Sequence, residues 1–163
     1  MTDMTPAECK AALEENLGKS MTSVLDLQEI LSEERQALRC NDTMSLNDGA
    51  ARKRMCVVRL DELDAERTEL SKACGFGDTP NAVPQLAGWC DDGESVLKTW
   101  TAFLDVARQC SDMNTTNGAI IRVRQSQVQS AICLLRSGTE DSNTYGPTGQ
   151  NSKELGTRSL AQA

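Results

Sequence analysis

The chain has 163 residues, a net charge of −7 and only 3% aromatic residues. That balance argues against a face that tracks phosphates, which needs clustered Lys and Arg; Arg52-Lys53-Arg54 is diluted by acidic residues after it and reads as a solvated helix face. At 39% hydrophobic residues, thin layers of Leu, Val, Ile and Ala between packed helices fit better than a thick globular core.

The first helix is predicted to open at Thr5-Pro6-Ala7-Glu8, where Thr5 caps, Pro6 suits the first turn and Glu8 completes a capping box. It runs over about 6–40. Leu17, Val24, Leu31 and Leu38 recur every seven residues, with Leu13, Ser20, Leu27 and Glu34 four positions earlier. This is an a/d seam with polar intrusions at Ser20 and Glu34. A helix of that length, about 50 Å, needs a partner along it.

Asn41-Asp42-Thr43 supplies a break or a new N-cap. A second helix is predicted over 43–74, with Leu46, Lys53, Leu60 and Arg67 in one heptad row and Cys56, Leu63 and Leu70 in the other. Gly49 weakens its start. The short connection makes the first two helices antiparallel. Residues 75–93, rich in Gly and Pro, read as a linker, with Asn81-Ala82-Val83-Pro84 keeping the chain out of α conformation.

A third long helix is predicted over 94–136. Trp100, Ala107, Asn114, Ile121, Val128 and Leu135 form one row; Phe103, Cys110, Asn117, Arg124 and Ala131 form the next. From Gly138 onward apolar residues nearly vanish, and 138–163 reads as a flexible tail containing the only tyrosine, Tyr145. The expected fold is all-α: an elongated antiparallel bundle of three long helices over 1–137, packed like a coiled coil, followed by the tail.

Chemistry is hard to find in this sequence. There is no histidine, which removes the commonest acid–base group and any Ser-His-Asp or Cys-His pair. Seven cysteines lie at long, irregular intervals without a C-x-x-C pair, so free thiols are expected rather than disulfides or zinc. Cys56, Cys74 and Cys110 fall on helix stripes as small apolar residues. The expectation is a non-enzyme without cofactor or metal. No stretch has the about 20 apolar residues that span a bilayer. Residues 1–10 lack a secretory pattern, so a cytoplasmic protein is expected.

The candidate functional surface is the lower part of the third long helix. Ile121, Val128, Ile132 and Leu135 continue the apolar stripe, and Ile120 and Val123 broaden it. That face is either core covered by the first two helices or a partner-binding patch. Above it, Asn114, Asn117 and Gly118 interrupt the stripe. They act as a polar pair fixing helix register, as the boundary between bundle and binding face, or as both.

These residues resemble a known family. Asn114-x-x-Asn117-Gly118-x-x-Ile121, then Ala131 with Leu134-Leu135, then Tyr145-Gly146-Pro147-Thr148-Gly149-Gln150, is similar to the C-terminal half of FlgN-type flagellar export chaperones. Leu27-x-x-x-Leu31-x-x-Glu34-Arg35-x-x-Leu38 resembles their first helix, and Leu63-x-x-x-Arg67-x-x-Leu70 closing on Gly75 their second. Trp89 or Trp100 matches the tryptophan such proteins often carry early in the third helix. Gly49, Cys56 and the scattered cysteines fall outside the pattern.

The resemblance implies a cytoplasmic chaperone of flagellar type III secretion. It would bind hook–filament junction proteins through their terminal helical segments and deliver them to the export gate or ATPase complex. The face from Ile121 to Leu135 becomes the client surface and Tyr145 a contact for client or export gate. Nucleotide hydrolysis belongs to the separate ATPase. No nucleic acid and no membrane insertion are expected, and the free chain would be a monomer or weak dimer. The alternative from another class is a self-associating coiled-coil scaffold or regulatory adaptor without a secreted client.

Overall fold

The computed structural model describes residues 4–92 and 94–141. They form four α-helices: α1 (Pro6–Cys40), α2 (Thr43–Ala73), α3 (Ala82–Cys90) and α4 (Ser95–Asp141). No strand occurs among the described residues. The chain divides into two compact units, residues 1–121 and 122–163.

α1 starts where its capping residues direct it. The Glu8 backbone N–H donates to Thr5 Oγ1, and the Thr5 backbone N–H donates to the Glu8 carboxylate at 2.9 Å. The helix stops at Asn41, in the left-handed region at φ 56°, which Asn tolerates better than most residues. The next residue, Asp42, accepts from the Ser45 N–H and starts α2. A two-residue connection therefore ends one helix and caps the next, which turns α2 back along α1. Asn16 near the start of α1 meets Leu63 and Glu66 in α2, while Glu34 near its end meets Lys53.

α4 runs parallel to α1 within the first unit. Ser95 faces Glu14, Gln109 faces Gln28, and Asn117 faces Leu31 and Glu34. α2 is antiparallel to both, since Arg67 lies over Trp100 while Lys53 reaches Asn114. The α1 seam is where its heptads put it: Leu13, Leu17, Ser20, Val24, Leu31, Glu34 and Leu38 are buried, and Leu27 is half-buried.

The predicted linker over 75–93 needs correction, and with it the count of three helices. α2 ends with a glycine-dependent C-terminal turn: Gly75 has φ +86°, and Phe76 N–H donates to Ser71 O at 2.9 Å. The chain then forms α3. Pro84 does not prevent it, because it occupies the first turn, where its missing N–H would have no intrahelical acceptor. Ala82, Leu86, Ala87 and Cys90 share one buried face of α3. Leu86, Ala87 and Cys90 join Cys9, Leu13, Leu17 and Val96 in one apolar cluster, with Phe76 packed against it.

Asp91 fastens this end. Its side chain, almost fully buried, accepts from Lys10 Nζ at 2.8 Å, from Ser95 Oγ at 2.9 Å and from the Val96 N–H at 2.8 Å. One carboxylate thus ties the end of α3 to the start of α4 and to α1. α4 continues past Arg136, where the apolar pattern ends, to Asp141. The rest of the predicted tail, including Tyr145, lies outside the described residues.

Candidate functional site

Two polar layers cross the core of the first unit. In one, Arg67 of α2 is buried beneath Trp100 and Phe103, with its guanidinium carbon 5.4 and 5.5 Å from the ring centres. It donates to Asn16 Oδ1 at 2.9 Å, Ser20 Oγ at 2.7 Å and Asp64 at 2.9 Å. Ser20, a polar intrusion on the α1 seam, is therefore an acceptor for a buried cation.

In the other layer, Asn117 is buried and its amide donates to Leu31 O and to Glu34 Oε2, both at 2.9 Å. Its carbonyl accepts from Arg35 Nε at 3.1 Å. Glu34 also accepts from Lys53 Nζ at 2.7 Å, and Lys53 donates onward to Asn114 Oδ1 at 3.3 Å. Glu34, Lys53 and Asn117 join α1, α2 and α4 at one level. The pairing fixes their register, because a shift of any helix would strand a buried charge or amide. Asn114 differs from Asn117: it is exposed, so only one of the pair is a core residue. Gly118 is half-buried and helical.

Between the two layers lies a groove of about 740 Å³. Its floor is Val24, Leu27 and Leu31 of α1. One wall is α2 from Lys53 to Arg67, with Val57, Val58 and Leu60; the other is α4 from Trp100 to Asn114, with Phe103, Leu104 and Ala107. Val58 is 57% exposed and Val57 is also open to solvent. Little in the sequence announces this feature. Val57 and Val58 sit off the heptad rows of α2, and adjacent off-row valines are the signal that was available.

The residues singled out below Gly118 take different environments. Ile121 is half-buried. Val128 is 60% and Leu135 72% exposed; Ile132, Val123 and Leu134 are exposed as well. Val128, Ile132 and Leu135 follow helical spacing and share one face of α4. Arg122, Arg124 and Arg136 accompany them without an acidic residue from 122 to 137.

The cysteines are free thiols. Burial pushes the thiols of Cys9, Cys56, Cys90 and Cys110 up, away from the reactive thiolate form. Cys110 lies in the groove wall and donates weakly to Val24 O at 3.5 Å. Among the described residues, no group of three or more His, Cys, Asp or Glu could hold a metal ion, and no helix is long and apolar enough to cross a membrane. What the geometry offers is apolar helix surface flanked by fixed charges, which suits the capture of another helix.

A profile described as FlgN protein matches residues 4–153. No curated protein matches the chain, and no solved structure does.

Proposed function

Because the chain belongs to the FlgN family of flagellar export chaperones, we propose that it binds hook–filament junction proteins through their terminal helical segments. By covering those segments it keeps its clients from assembling prematurely, and it delivers them to the type III export gate or ATPase complex. The observation that carries this reading is the row Val128, Ile132 and Leu135, three large apolar side chains exposed on one face of α4. Isolated exposed apolar residues need no explanation, but a row at helical spacing matches the groove-and-helix mode of recognition.

Burying Val128, Ile132 and Leu135 gains at most roughly 5–9 kcal/mol gross, and the half-buried Ile121 adds less. Ordering the client takes back several kcal/mol, which suits a complex that later releases its cargo. Tyr145 is a further contact for client or gate under this reading. The chain works in the cytoplasm as a monomer or weak dimer.

Calorimetry with the C-terminal segment of a junction protein tests the proposal. The chain binds it, and Val128→Asp with Leu135→Asp abolishes binding while helicity by circular dichroism is unchanged. Unaltered affinity in that double variant removes the surface from the account.

A further inference from the structure

The groove of the first unit is distinct from the α4 row, and its dimensions describe an occupant. Its two ends are the polar layers. Along α2 they are Lys53 and Arg67, and along α4 Asn114 and Trp100. Both walls therefore span two heptads, about 21 Å at 1.5 Å per residue. Floor and walls between the layers are apolar. An open trough of that length, bounded by helices, fits a four-turn helix laid along it better than a compact small molecule, which is held in a deeper enclosure.

The rim states the occupant's charges. Arg54 stands at one end of the α2 wall and Asp61 toward the other, while Lys53 and Asp64 beside them are already paired with Glu34 and Arg67. Arg54 and Asp61 are two helical turns apart and share a face with Val58. A helix with an acidic residue in its first turn and a basic residue in its last answers both, and the same distribution suits that helix's own dipole. Its last turn then lies at the level of Arg67.

We infer that this groove is a second docking site, which takes an amphipathic client helix of about four turns, acidic at its N-terminal end and basic at its C-terminal end, running parallel to α2. The inference rests on the reading of the chain as a carrier of helical clients, and it adds to the α4 row a second site for a different helical segment.

The test uses the full chain with Trp89→Phe, so that Trp100 in the groove wall is the only tryptophan. The probe is a synthetic four-turn peptide with a leucine stripe, Glu in the first turn and Lys in the last. Trp100 emission shifts to the blue and saturates. Val58→Asp, at an exposed position that leaves folding intact, weakens binding at least ten-fold. Arg54→Glu weakens it as well, and a peptide with Lys in place of Glu recovers the loss. Val128→Asp with Leu135→Asp has no effect on the peptide.

No saturable shift, or a shift indifferent to Val58→Asp and to the charge exchange, overturns the inference. A dimer in sedimentation that Val58→Asp dissolves gives the groove to a second copy and overturns it too. Peptide binding without any affinity for a junction-protein segment contradicts the proposed function and leaves the groove assigned. Junction-segment binding with no peptide binding does the reverse.

Discussion

Replacing Asn117 with alanine removes its hydrogen bonds to Leu31, Glu34 and Arg35 together. Glu34 then keeps Lys53 but loses a buried donor. Asn117→Ala is expected to destabilise by about 2–3 kcal/mol, measured by urea unfolding, whereas Asn114→Ala at an exposed position stays within about 0.5 kcal/mol. Equal effects would show that the amide has no architectural role. Gly18 and Gly49 lie inside helices with open space where a Cβ would stand. Gly18→Ala and Gly49→Ala should each stabilise by about 0.5–1 kcal/mol; a fall in melting temperature would mean that Gly49 is needed for packing. The Thr5 N–H and hydroxyl hold the Glu8 carboxyl below the usual carboxylate range. A lowered folded-state pKa contributes stability that is complete above the unfolded value and fades as pH falls through the folded one. The melting-temperature difference between the wild type and Glu8→Gln should therefore narrow below about pH 4.3; a difference that grows on acidification would reverse the sign.

At the scale of elements, α1 was legible because each heptad position reports burial directly. Leu13, Leu17, Val24, Leu31 and Leu38 are buried where the repeat places them. Even its polar intrusions were visible as Ser20 and Glu34, although not their partners, since Arg67 and Lys53 arrive from another helix. α3 was missed for a local reason: Gly and Pro density reads as linker, and a nine-residue helix is too short to show a repeat. Its apolar face, Ala82, Leu86, Ala87 and Cys90, was the available signal. α3 closes one end of the core, so Leu86→Ala should cost about 2–5 kcal/mol in chemical denaturation. A loss below about 1 kcal/mol would reduce α3 to the linker that composition suggested. The groove was illegible on other grounds. Its width depends on how far α2 and α4 stand apart on α1, and no single helix encodes that distance.

For the molecule as a whole, the exposed row on α4 and the groove in the first unit both offer apolar surface. The family shown by residues 4–153 is one of chaperones, and a chaperone needs surface that is uncovered until the client arrives. The central claim is that the client covers α4 below Gly118. Hydrogen exchange followed by mass spectrometry, with and without the C-terminal segment of a junction protein, tests it most directly. Slowed exchange over residues 122–137 on adding the segment is the predicted result. Exchange unchanged there, while the segment is demonstrably bound elsewhere on the chain, would contradict it.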